Sequence, residues 1–217
     1  MSEFVDPEQF VISRKRKKYR FAKFANAKNC FEFEEWQPRP VDTLEIGAGT
    51  AFFSVELAAR YPQRTFVALD VKADRLQRGA YQAIERGIEN VYFVRARANQ
   101  ITELFAADSL QQIWLTFPDP FPRKHSSGRR LTNPRFLQTY AQLLGKDGSL
   151  LLKHDNPAFF QWSLEQLVEH QWRIARLSFD LHDSGYSDDD DSKILTSYEQ
   201  RWLEERRVTS FVQAAHD

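Results

Sequence analysis

The sequence is poor in the residues that build covalent or metal scaffolds. Its 217 residues include one cysteine and one methionine. A lone Cys30 excludes an internal disulfide, which fits a reducing compartment. It has no Cys or His partner at metal-ligand spacing, so it reads as an ordinary residue and no metal is expected. No apolar run approaches the roughly 18 to 20 residues of a spanning helix. The N-terminus is polar, then basic, and carries no apolar segment of the secretory kind. A cytoplasmic protein away from any membrane is the expectation. Net charge is lacking too, with 30 Lys and Arg against 30 Asp and Glu, and the total alone points to no nucleic acid. There is no internal repeat and no extended low-complexity segment.

What is present is patterned. Hydrophobic residues make up 42% and charged residues 28%, enough for a sizeable core under a charged surface. The charges are segregated: Arg14, Lys15, Arg16, Lys17, Lys18, Arg20, Lys23 and Lys28 share one stretch without an acid, whereas Asp188–Asp191 is a run of four carboxylates. Such patterning creates local fields that the total conceals. Tyr19, Phe21 and Phe24 interleave with the basic residues. That suits RNA, through phosphate pairing and base stacking, or a solvated tail whose aromatics dock on the core. The acidic run lacks the spacing of a cation loop and reads as a solvated insertion.

Residues 1–39 lack a clean hydrophobic period and read as a basic arm; residues 40–217 read as one α/β domain. Strands are expected at Asp42–Ile46, Thr65–Asp70, Asn90–Val94, Gln112–Phe117, Ser149–Lys153 and Arg173–Asp180, and Leu195–Trp202 could add a last one. Helices are expected at Phe52–Arg60, Ala73–Arg86, Asn99–Phe105, Pro134–Leu144 and Pro157–Glu169, with Gly87 and Gly145 as C-terminal caps. Alternation at this spacing predicts a Rossmann-like three-layer sandwich around a mostly parallel sheet.

Leu44-Glu45-Ile46-Gly47-Ala48-Gly49 leaves a strand and leads into a helix. The glycines permit a tight turn and close approach of a ligand to the backbone. Asp70 ends the next strand, where a carboxylate can accept from ribose hydroxyls. A dinucleotide fingerprint would have a third glycine where Phe52 stands, which argues against NAD. Glu45 before the first glycine suits a ligand carrying positive charge, such as S-adenosylmethionine. After the fourth strand comes Phe117-Pro118-Asp119-Pro120-Phe121-Pro122-Arg123-Lys124. Its prolines stiffen the loop, its carboxylate lies between aromatic rings, and Arg123, Lys124, Arg129 and Arg130 offer phosphate contacts.

The E-x-G-x-G turn is similar to that of class I methyltransferases. The proline loop resembles the Phe-Pro-Asp-Pro-Trp-Pro-Lys-Lys-Arg-His…Arg-Arg-Leu motif of bacterial tRNA (guanine-N7-)-methyltransferases. Lys153-His154-Asp155-Asn156, Ser178-Phe179-Asp180-Leu181-His182 and Thr196-Ser197-Tyr198-Glu199 resemble further motifs of that family in the same order. The resemblance spans Val41 to Trp202. It implies a class I methyltransferase sandwich with a C-terminal antiparallel strand, and methyl transfer from S-adenosylmethionine to N7 of a variable-loop guanosine in tRNA. It implies cofactor contacts from Glu45, Gly47, Gly49, Asp70 and Asp119, with Asp119 also catalytic. Arg123, Asp155, Thr196 and Glu199 are implied in substrate binding, with RNA contacts from Lys124, His125, Arg129 and Arg130, and from Arg16, Lys17 and Lys18 in the arm. No metal is implied, and a monomer or homodimer is expected.

Four positions depart from the family pattern. Ala51 replaces a glycine; Arg97 stands where an Asp holds adenine, with Asn99 as a nearby acceptor in its place; His125-Ser126-Ser127-Gly128 is less basic than usual; and Phe121 replaces Trp. A methyltransferase for another RNA site and an RNA-binding paralogue with weak cofactor binding stay open as alternatives.

Overall fold

A computed structural model describes residues 4–10, 15–205 and 207–216, without the side chains of 15, 16, 124, 197, 198, 201 and 204. The short apolar runs form the strands. These are β1 (Cys30–Glu32), β2 (Thr43–Ile46), β3 (Phe66–Asp70), β4 (Val91–Arg95), β5 (Leu110–Thr116), β6 (Leu144–His154), β7 (Trp172–Ser178) and β8 (Ser210–His216). The central β2 and β3, covered on both faces, are buried at every position. The helices are α1 (Lys15–Asn26), α2 (Phe52–Arg60), α3 (Ala73–Glu85), α4 (Ile101–Leu104), α5 (Pro134–Leu143), α6 (Pro157–Glu169) and α7 (Ser197–Glu204).

The sheet order is β1-β4-β3-β2-β5-β6-β8-β7. Every pairing is parallel except those of β8, which runs antiparallel to β6 and β7. Alternate side chains of each strand feed two separate cores. Leu44, Ile46, Val67 and Leu69 pack with Leu137, Tyr140, Phe159 and Phe160 from α5 and α6. Phe66, Ala68, Trp114 and Leu151 pack with Phe24, Phe53, Leu57, Leu76 and Ala80 from α1, α2 and α3. The result is the three-layer α/β sandwich that the alternation predicts.

Several boundaries differ from expectation. The first 39 residues contribute α1, which lies against α3, and β1, which extends the sheet beyond β4. Leu195–Trp202 is no strand: α7 occupies most of it and the closing antiparallel strand is β8. Gly87 has φ +66 and caps α3, whereas Gly145 has no left-handed φ and stands in β6. The acidic run is solvated in its first half, with Asp188 and Asp189 exposed, and tied to the fold in its second. Asp190 accepts from Arg176 at 2.5 Å, and Asp191 accepts from Arg60 at 2.9 Å and from Tyr61 at 3.0 Å. These bonds tie the segment before α7 to β7 and to the end of α2. Among the described residues no helix is long and apolar enough to cross a membrane.

Candidate active site

Strand β2 lies between β3 and β5, so the connections leaving its two sides diverge and open a crevice beyond its carboxyl end. A cavity of about 720 Å³ fills this crevice, within the range of small-molecule sites. Its lining divides into two parts, the turn after β2 with the end of β3, and the loops after β5 and β6 with α7.

The first part is built from main-chain donors gathered on one carbonyl and one carboxylate. Gly47 and Gly49 have φ +76 and +57, a conformation that a Cβ disfavours. The N–H groups of Gly47 and Ala48 donate to the Leu69 carbonyl at 2.8 and 3.0 Å. Asp70 accepts from Gly49 N–H at 2.9 Å and from Lys72 N–H at 2.8 Å, buckling the turn to the loop after β3. Each carboxylate oxygen keeps a further lone pair for a ligand hydroxyl. Ala51, the missing third glycine, also sits at φ +57. Its methyl fits because α3 presents Gly79, where an added Cβ would lie 2.6 Å from the Thr50 carbonyl oxygen and 3.2 Å from the Ala51 Cβ. Gly79 thus gives the methyl its room, while the left-handed backbone at Ala51 keeps its cost.

Glu45 is buried beneath this turn, 2% exposed. Its carboxylate accepts from the Ser54 and Thr116 hydroxyls, each at 2.5 Å. Burial still pushes its carboxyl up to about 7, against the downward pull of those two bonds. A buried acid raised in this way gains when a cation arrives beside it. A cationic sulfonium ligand fits this donor set: Glu45 for positive charge, Asp70 for hydroxyls, and a glycine turn where a Cβ on Gly49 would meet nothing within 4 Å.

The second part depends on side chains. Phe117 and Phe121 bound the proline loop at φ +52 and +39. Pro118, Asp119, Pro120, Phe121 and Arg129 reach the cavity. His154, at the end of β6, is buried and donates from Nε2 to the Pro118 carbonyl at 2.9 Å. Its Nδ1 lies 2.8 Å from Asn156 N–H and 3.3 Å from Asp155 Oδ1, so the ring is held from both nitrogens. The Arg129 guanidinium lies 4.4 Å from the Phe121 ring centre.

Thr196 and Glu199 form a reciprocal capping box that starts α7. Glu199 N–H donates to Thr196 Oγ1 at 3.1 Å, and Thr196 N–H donates to Glu199 Oε2 at 2.9 Å. Lys153 Nζ donates to the same Glu199 oxygen at 2.7 Å and to the Ile194 carbonyl at 2.9 Å, with both charged side chains wholly buried. Burial pushes the Lys153 ammonium below its ordinary value while Glu199 pulls it back. His182 Nε2 lies 3.3 Å from the other Glu199 oxygen.

Of the residues singled out from the sequence, Glu45, Gly47, Gly49, Asp70, Asp119, Arg129, Asp155 and Thr196 line the cavity. Glu199 does not, since its carboxylate is turned to Lys153, His182 and the Thr196 amide. Asn99 is exposed on the short turn before α4 and lies outside the lining, although Ala96 and Ala98 belong to it. Arg123 and His125 are exposed near the rim. Arg130 turns inward to the Pro120 and Phe121 carbonyls. Lys17 is exposed and Lys18 pairs with Glu8 at 2.8 Å; the side chains of Arg16 and Lys124 lie outside the described residues. Sequence reasoning missed His154 and Trp202 as cavity residues. Trp202 packs edge-on against Phe117, ring centres 5.0 Å apart, forming an aromatic wall.

Comparison with known proteins follows the same outline. A family described as "Putative methyltransferase" matches residues 39–211. A tRNA (guanine-N(7)-)-methyltransferase of Brevibacillus brevis is 38% identical over 73% of this chain and 73% of its own length. One from Christiangramia forsetii is 35% identical over 78% of this chain and 76% of its own. Among solved structures, the 16S rRNA methyltransferase KamB superposes with a TM-score of 0.60 at 16% identity, over 83% of this chain and 88% of that one. At that identity the likeness speaks for the fold.

Proposed function

Because this chain belongs to the tRNA (guanine-N(7)-)-methyltransferase family, we propose that its cavity transfers a methyl group from S-adenosylmethionine to N7 of a variable-loop guanosine in tRNA, in the cytoplasm. The cofactor supplies a methyl group on a positively charged sulfur. Glu45 and the Gly47–Gly49 turn hold its cationic end, and Asp70 accepts from its ribose hydroxyls. Guanine N7 carries a free lone pair, so no residue has to remove a proton before attack. The protein's work is alignment and the handling of charge that passes onto the purine, for which Asp119 is the carboxylate at hand. Thr196 and Asp155 face the same space and bind the substrate base; Glu199 acts on it through Thr196. Arg123, His125 and Arg129 meet phosphates at the rim, and exposed Lys17 of α1 offers a phosphate contact outside it. The target base leaves its stack to enter.

The observation that carries this reading is the convergence of Glu45, Asp70, Asp119 and Asp155 on one cavity beside an aromatic wall. It is tested with methyl-labelled S-adenosylmethionine and unmodified tRNA. Asp119→Ala should lower turnover by about 10²-fold or more, the scale of losing one aimed electrostatic group, with a smaller change in cofactor affinity and an unchanged fold. Wild-type turnover in Asp119→Ala would overturn the role given to that carboxylate.

A further inference from the structure

Prolines at 118, 120 and 122 remove three backbone donors from the loop that carries Asp119. The loop must therefore be fastened largely through its carbonyls, by donors from elsewhere. Two side chains provide them. His154 Nε2 reaches the Pro118 carbonyl oxygen at 2.9 Å. Arg130 Nε reaches the Pro120 carbonyl at 3.0 Å, and its Nη2 reaches the Phe121 carbonyl at 3.2 Å. Asp119 lies between the two points of attachment.

Both donors are themselves fixed. The His154 ring is held by Asn156 N–H and packs 4.4 Å from the Phe159 ring centre. The Arg130 guanidinium lies over Trp162 at 4.3 Å. The planar guanidinium reaches two neighbouring carbonyls from its edge while its face lies over Trp162, a combination that an ammonium does not supply. The backbone at Phe117 and Phe121 is left-handed, a strain that persists only where surrounding contacts enforce it.

We infer that His154 and Arg130 are positioning residues that clamp the Asp119 loop from both sides. Arg130, unlike its neighbour Arg129, directs its charge to loop carbonyls and not to an RNA phosphate. This inference rests on the methyl-transfer reading above.

The experiment compares Arg130→Met, which keeps an apolar stem against Trp162, with His154→Leu, His154→Gln and Arg129→Met. Three quantities are read: the single-turnover rate, the salt dependence of tRNA affinity, and the rate of tryptic cleavage after exposed Arg123 without substrate. Arg130→Met should slow the single turnover by about 10²-fold, as expected for a misplaced reacting geometry. It should leave the slope of log affinity against log salt as in the wild type, and speed cleavage after Arg123 by about tenfold or more through local opening. His154→Leu should act in the same direction, and His154→Gln, which retains an N–H donor, should restore much of the loss. Arg129→Met should reduce the salt slope by about one, the signature of a phosphate contact. A similar fall in slope for Arg130→Met, with the wild-type single-turnover rate, would make Arg130 an RNA contact and overturn the clamp. Unchanged Arg123 cleavage in both Arg130→Met and His154→Leu would overturn it as well. Failure of the wild-type protein to methylate tRNA would defeat the functional reading instead, and Arg123 cleavage would still decide the clamp.

Discussion

The glycine side of the cavity is fastened by main-chain donors, and the proline side by side-chain donors. Around Gly47–Gly49, peptide groups bond to the Leu69 carbonyl and to Asp70. Around Pro118–Pro122 and Thr196, the fastening passes through His154, Arg130, Lys153 and Glu199. A site built on peptide groups can absorb sequence change, as Ala51 opposite Gly79 illustrates. A site built on side chains fails when one of them is replaced. The reacting geometry proposed for Asp119 would therefore rest on the more fragile half.

The largest effect should come from the buried pair. Glu199→Ala leaves Lys153 buried without its carboxylate, and should cost about 3–5 kcal/mol of stability, read from denaturant unfolding. A cost below about 1 kcal/mol would mean that α7 does not depend on this pair, and would break the contrast between the two halves.

Glu45 tests the glycine side. Its carboxyl is raised to about 7 in the folded protein from an ordinary value of 4.5. The contribution of Glu45 to the stability of the ligand-free protein should thus be full below 4.5 and be lost as pH rises through 7. The depressed Asp155 and Asp190 act against it, their contributions being lost as pH falls, and comparison with Glu45→Gln isolates the Glu45 part. A cationic cofactor has the opposite preference, because it favours the carboxylate. Its affinity should climb with pH by up to about tenfold per unit, or about 1.4 kcal/mol, between pH 5 and 7, then level off. Isothermal titration across that range checks this, with Glu45→Gln expected to bind more weakly above pH 7 and to show a flat profile. A flat wild-type profile would remove Glu45 from contact with the cation.

The smallest effect belongs to Arg207, about half exposed, which donates to Asp155 at 3.3 Å. Arg207→Ala should change stability by less than about 1 kcal/mol, measured by thermal unfolding. A larger loss would place Arg207 among the residues that hold the proline side together.

The division between the halves also marks what could be read from sequence. The strands and the Glu45–Gly49 turn follow from a period of two covered faces and from glycine chemistry, both local properties. The start of α7 was equally local, since Thr196-x-x-Glu199 is a capping box, but Leu195–Trp202 reads as a strand when only its apolar residues are weighed. That reading hid Trp202 from the cavity, while the substrate role of Glu199 came from the family resemblance of Thr196–Glu199. Helix α1 is rich in Lys and Arg, which masked the stripe through Ala22 and Phe24 that it buries. The roles of His154 and Arg130 depend on which carbonyls the folded loop presents, and no spacing in the chain encodes that. Arg130 was accordingly read as an RNA contact along with Arg129.

The most direct measurement is to incubate the purified protein with labelled S-adenosylmethionine and an unmodified tRNA transcript, and then map the labelled base by cleavage at N7-methylguanine. The account predicts a single labelled guanine in the variable loop. Label at another base, or on protein with none on tRNA, would contradict it.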